Sequence, residues 1–238
     1  MIISHSRKFI FFKPLKTAGT SVEVLLRDMC GPTDIITPVA PDEVKKGFNS
    51  QNNINEDGIF KFHSHTWPDL LFEKTESTWN DYHKISMVRN PWDMCVSYYW
   101  WTMSRNKNSQ LIIKDSDIDS LIEEKFRLFL ETKCFYDEHI LKNVDNFYKS
   151  PVSWLSDISL NFMSEEIDTY IRFESLQSDF NNVVCDLGGR PVELPRFKSN
   201  KRNLSYHYSK YYCEHTADLV KNYFSEYSDS LGYSFLEI

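Results

Sequence analysis

The chain has 238 residues, 41% of them apolar and 15% aromatic, a balance that excludes a disordered or fibrous protein and suits one soluble domain over 1–238. Its 27 basic and 34 acidic residues give a formal charge of −7, which argues against a nucleic-acid partner and requires any anion site to be a local gathering of donors. Five cysteines without ligand spacing read as reduced thiols of a cytoplasmic protein. With no signal-peptide pattern and no apolar run near the ~20 residues of a membrane span, a luminal, anchored enzyme is not expected.

In chain order, the first predicted strand is 8–12 (KFIFF), followed by the turn KPLKTAGTS and a helix with Val22, Leu25, Leu26 and Met29 at i, i+3, i+4 and i+7. The helix is expected to open at Thr20 or Ser21, and Thr20 with Glu23 has the form of a capping box. Backbone N–H groups from Thr17 to Val22 then converge on one point, where the helix dipole adds positive potential. Lys16 precedes Gly19 by three residues, so the order is not that of a nucleotide P-loop, whose lysine follows its second glycine. A cation among converging N–H groups is repelled unless an anion occupies the nest.

Residues 31–58, rich in Pro, Asn and Gly, are read as a loop. A second strand is predicted at 59–63 (IFKFH), leading into HSHTWPDLL. If that strand continues, His63 and His65 share a face. Neither has Cys, Asp or Glu neighbours at familiar ligand spacing, so no metal is expected. A neutral imidazole at pH 7 suits a general base, while a histidine at a strand end also serves as a structural hydrogen-bonded residue.

The third strand, 84–88 (KISMV), ends in Arg89. Asn90 then caps, and Pro91 opens, a helix carrying Val96, Tyr99, Trp100 and Met103 on one side. Arg89 offers a planar fork for a phosphate, and Ser97, two turns into the helix, offers a hydroxyl. A kinase would need a carboxylate at a strand end for Mg²⁺, and this strand ends in arginine.

Further along, 104–117 reads as a loop, 117–131 as a helix (Ile118, Leu121, Ile122, Phe126, Phe129) and 168–173 as a strand followed by a helix over 175–187. One last helix is expected over 209–230, stopped by Gly232. Trp100, Trp101, Tyr136, Tyr148 and Trp154 suit sugar stacking or a core. Alternating strands and helices predict an α/β fold: a single P-loop-like three-layer domain with a central, mostly parallel sheet flanked by helices and ligands at the carboxyl ends of its strands.

The segment PLKTAGTS resembles the 5′-phosphosulfate loop, PKTAGTS, of carbohydrate sulfotransferases that use 3′-phosphoadenosine 5′-phosphosulfate (PAPS), with one residue inserted between Pro14 and Lys16. The RNP at Arg89 with the later Ser97 is similar to that family's 3′-phosphate site, and HSH is similar to the H-x-H of the uronyl 2-O-sulfotransferases. YIRFESLQSDF and the final LGYSF also resemble family segments, so the likeness runs from the first strand nearly to the carboxyl end. The resemblance implies PAPS as donor, adenosine 3′,5′-bisphosphate as product and a carbohydrate or glycoconjugate hydroxyl as acceptor. It implies catalytic roles for Lys16 and His65, with His63 in support. It further implies that the donor is held by Lys16, Thr17, Ala18, Gly19, Thr20, Ser21, Arg89 and Ser97, with Lys201 and Arg202 of the basic 194–212 segment reaching the 3′-phosphate. A nucleotide phosphotransferase and a non-catalytic module binding a bisphosphate or sulfated glycan are the alternatives.

Overall fold

The computed structural model describes all residues except 39–48, 60, 107–108, 132–149, 196–205 and 237–238. The chain divides into two compact units, each assembled from two segments: Met1–Arg89 with Asn161–Phe197, and Asn90–Leu160 with Lys198–Ile238.

The first unit holds a five-stranded sheet in the order β3-β1-β2-β4-β5. Its strands are β1 (Ile2–Ser4), β2 (Phe9–Phe11), β3 (Ile35–Ile36), β4 (His83–Val88) and β5 (Thr169–Arg172). β2, β4 and β5 run parallel, with Phe9 beside His83 and Val88 beside Arg172. β1 pairs antiparallel with both β2 and β3, which makes the sheet mixed around a parallel core. The parallel core is the expected α/β arrangement; the short antiparallel edge is an addition that two- and three-residue strands do not announce by pattern.

Strand alternation sorts the side chains. Phe9, Phe11, Ile85, Met87 and Ile171 face one side. There Val22 and Leu26 of α1 (Gly19–Arg27) and Phe180, Val183 and Val184 of α6 (Leu176–Asp186) complete a buried cluster. Phe12 points the other way and meets Trp79, at the end of α2 (Pro68–Trp79), with ring centroids 6.0 Å apart. Burial of whole Phe, Ile and Leu side chains contributes about 1.5–3 kcal/mol each, which makes this two-sided packing the main support of the sheet.

Among the described residues of 59–63, none is in the expected strand. Asn53 takes its place as the hydrogen-bonding partner: its side-chain amide donates to the Phe62 carbonyl and accepts from the Phe62 N–H, and its carbonyl accepts from the Lys61 N–H. A single residue, through its side chain and its backbone carbonyl, thus satisfies backbone that a neighbouring strand would otherwise pair.

The second unit is helical: α3 (Pro91–Arg105), α4 (Asp119–Glu131), α5 (Pro151–Leu160), α7 (Glu214–Tyr223) and α8 (Ser225–Leu231), with a 3-10 turn at Tyr208–Tyr211. Asn90 caps α3 as expected, accepting from the N–H groups of Trp92 and Asp93, with Pro91 in the first turn. Tyr99, Trp100, Phe126, Phe129, Tyr211 and Tyr212 pack mainly edge to face, and Trp100 and Trp154 are buried. Those two therefore serve the core. Trp101 stacks on Tyr98, and the Arg105 guanidinium lies over its ring, whereas Tyr136 and Tyr148 fall outside the described residues.

The expected last helix is two. It breaks at Phe224, where Ser156 Oγ donates to the carbonyl of Tyr223 at 2.5 Å. Gly232 stops α8 at φ 71°, the left-handed conformation that glycine adopts at least cost.

Candidate functional site

Because β2 and β4 are parallel, their carboxyl ends lie at the same edge of the sheet. The turn from Lys13 to Ala18 leaves one, and Arg89 follows the other directly. This is where an α/β sheet offers its ligand crevice.

The turn is held in an uncommon backbone shape. Lys16 and Ala18 both adopt left-handed conformations, at φ 63° and 66°, each costing a non-glycine residue on the order of 1–3 kcal/mol. Two bonds hold the shape: Thr17 Oγ1 donates to the Pro14 carbonyl at 3.2 Å, and Arg89 Nη1 donates to the Lys16 carbonyl at 2.7 Å. Arg89 is itself fixed, buried to 8% exposure with its guanidinium 3.7 Å from the centre of the Phe173 ring. The structure therefore brings Lys16 and Arg89 together.

Helix α1 opens at Gly19, with Ala18 as its N-cap and no side-chain cap. The expected Thr20–Glu23 capping box is absent, because Glu23 turns inward. Its carboxylate lies 3.0 Å from the N-terminal amine, 2.6 Å from Lys13 Nζ and 3.8 Å from Arg27. Burial by itself raises a carboxyl pKa; the N-terminal amine, then Lys13 and Arg27, outweigh it and hold Glu23 down to about 2. The first N–H groups of α1 have no carbonyl one turn back within the helix, and that of Ser21 turns onto the Ala18 carbonyl at 3.0 Å.

Gly19 is required by space. A Cβ there lies 2.7 Å from Lys13 Cγ, mid-stem on a side chain whose far end is anchored. Gly19→Ala is expected to lower stability by about 1–3 kcal/mol, the cost of overpacking, despite alanine's better helix propensity. A fall in the urea midpoint with an unchanged slope reads this out.

His63 and His65 do not sit on alternate strand positions. They belong to a turn in which Thr66 donates from its N–H and Oγ1 to the His63 carbonyl and accepts the His63 N–H. His63 is exposed and His65 half-buried. His65 Nδ1 lies 2.6 Å from the Lys13 carbonyl; a carbonyl only accepts, so Nδ1 carries the hydrogen and Nε2 is the nitrogen left basic. Burial of the ring, followed by the Lys13 cation, lowers its pKa to about 4.

Of the other expected donor residues, Thr17 to Ser21 line the turn and first helical positions. Ser97 is half-buried on α3 of the second unit. Lys201 and Arg202 lie outside the described residues. Lys13 and Glu23 are functional candidates that sequence reasoning passed over, since a lysine at a strand end reads as solvated and the glutamate fitted a cap. Their i, i+10 pairing across a turn leaves no short-range pattern; Glu23 flanked by the buried Val22 and Val24 is the one local hint.

Among the described residues no group of His, Cys, Asp and Glu could hold a metal, and no helix is long and apolar enough to cross a membrane.

No family model matches the chain, and no curated protein matches it. Among solved structures, a sulfotransferase from Alicyclobacillus acidocaldarius is similar at 14% identity and a TM-score of 0.35, covering 94% of this chain and 87% of that one.

Proposed function

We propose that the chain is a PAPS-dependent sulfotransferase that sulfates a hydroxyl of a carbohydrate or glycoconjugate, with residues 1–238 acting as one catalytic domain in the cytoplasm. The observation that carries this reading is the bond from Arg89 to the carbonyl of a left-handed Lys16, which gathers two cations at neighbouring strand ends.

The residues fit such a donor. The Lys16 and Arg89 strand ends are neighbours, and the left-handed backbone at Lys16 and Ala18 shapes the turn between the strand and the start of α1. PAPS, when bound, supplies the sulfuryl group and a bisphosphate leaving group. Lys16 holds positive charge where the bridging oxygen becomes negative, and the N–H groups from Thr17 to Thr20 orient the 5′ end, that of Ser21 being taken by the Ala18 carbonyl. Arg89 fixes the 3′ side. His65 Nε2 takes the proton of the acceptor hydroxyl while Nδ1 stays bonded to Lys13, and the exposed His63 touches the acceptor. Among the described residues Cys30, Cys95, Cys185 and Cys213 are free thiols, which supports a reducing compartment. The test is transfer of labelled sulfate from PAPS to a panel of carbohydrate acceptors; hydrolysis of ATP in its place overturns the reading.

The histidine also sets a pH dependence. Its neutral form is the active one, so kcat/KM for the free enzyme is expected to stay flat from about pH 8 to pH 5 and to fall tenfold per unit below the His65 pKa of about 4. A limb centred near 6.5 contradicts this. Stability follows the same sign. Both His65 and Glu23 are depressed in the folded state, so the unfolded chain binds protons first, and stability is lost as pH falls from about 6.5 through 4 and on towards 2. Fluorescence-monitored acid titration checks it.

A further inference from the structure

We propose that Lys13 is a positioning residue: its carbonyl selects the nitrogen of His65 left to accept a proton, and its side chain, held by buried Glu23 and packed on Gly19, ties that histidine to the anion loop. The inference rests on the reading of His65 as the base.

A lysine three residues before Lys16, at the end of β2, is placed to join the anion site. Its side chain instead turns away: it is 8% exposed, and Nζ lies 2.6 Å from Glu23 Oε2. Glu23 is fully buried and also receives the N-terminal amine at 3.0 Å, with Arg27 at 3.8 Å. On its way to Glu23 the stem crosses Gly19 so closely that no Cβ fits there. The backbone of the same residue accepts from His65 Nδ1 at 2.6 Å. One residue therefore touches the first position of α1, the buried carboxylate and the candidate base. The turn carrying His65 has a second tie to this group, since the N-terminal amine donates to the Ser64 carbonyl at 3.2 Å.

The charges facing His65 are those of Lys13, the N-terminal amine and Glu23. The first two disfavour its protonation and the third favours it, so the two members of the ion pair act on the ring with opposite sign.

The test is ¹⁵N NMR of histidine-labelled full-length protein across pH, on the wild type, Lys13→Met, Glu23→Gln and the double variant. Lys13→Met keeps the stem on Gly19 and removes the cation. The double variant removes both charges of the pair, leaving the N-terminal amine and Arg27 without that carboxylate but no lysine beside them, and so gives a second reading if Glu23→Gln alone fails to fold. The expected wild-type spectrum shows His65 neutral at pH 7 with hydrogen on Nδ1. Its titration moves up in Lys13→Met and down in Glu23→Gln. Sulfate transfer by the double variant falls on the order of tenfold or more in kcat, as expected when a reacting group is misplaced, while affinity for adenosine 3′,5′-bisphosphate changes by less than about threefold, within ~0.6 kcal/mol. Hydrogen on Nε2, a charged ring at pH 7, shifts of one sign, or wild-type kcat in the double variant overturns the proposal. If His65→Ala transfers sulfate at the wild-type rate, the base reading fails, and the titration alone then decides the role of Lys13.

Discussion

Lys16→Ala is expected to lower sulfate transfer by about 10²- to 10³-fold, the loss that follows removal of one preorganised donor to developing negative charge. The fold should not suffer in proportion. Lys16 is half-buried, and bonds that shape the turn run through the Thr17 hydroxyl and the Lys16 carbonyl, groups that Lys16→Ala leaves in place. A shift in Tm of more than a few degrees, or retention of more than a tenth of wild-type activity, counts against the assignment. The separation of the two readouts matters, because a lysine that merely braced the loop would lower both together.

Arg89→Ala is expected to weaken binding of adenosine 3′,5′-bisphosphate by roughly 100-fold, since charge-assisted hydrogen bonds are worth about 1.5–3 kcal/mol each and the fork makes more than one. The loss for 5′-AMP, which lacks the 3′-phosphate, is expected to be smaller, about tenfold. It is not zero, because the same guanidinium holds the Lys16 carbonyl at 2.7 Å and its removal loosens the loop that receives the 5′ end. Arg89→Lys restores charge but neither the planar contact with Phe173 nor the fork, and falls between. Equal losses for the two nucleotides in Arg89→Ala contradict the assignment to the 3′ side and reduce Arg89 to a brace for Lys16.

The parts of the fold that were legible in sequence are those fixed by local chemistry. The apolar runs of β2 and β4, the Asn90-Pro91 start of α3 and the Gly232 stop each follow from residues within a few positions. What escaped depends on partners far along the chain. Residues 61 and 62 look like a strand until Asn53 captures their backbone. The last helix looks continuous until Ser156, 67 residues before Tyr223, takes its carbonyl. Glu23 looks like a cap until the N-terminal amine, Lys13 and Arg27 draw it inward.

The candidate site divides along the same line. The Lys16 loop and Arg89 could be named because a strand, a turn of defined residues and a helix start are contiguous in sequence, and parallel pairing of β2 and β4 then sets them at one edge. That Arg89 donates to Lys16, and that Lys13 seats His65, are facts of tertiary packing; no spacing rule relates residue 89 to 16, or 65 to 13. The alternation that singles out His63 and His65 presumes a strand, whereas His65 lies in a turn.

On the proposed reading, Lys16 and Arg89 grip a donor by both its phosphate ends without a metal. Calorimetric titration with adenosine 3′,5′-bisphosphate and with ATP, each with and without Mg²⁺, tests it most directly. The bisphosphate is expected to bind more tightly, with no change on adding Mg²⁺; tighter binding of ATP that depends on Mg²⁺ overturns the assignment.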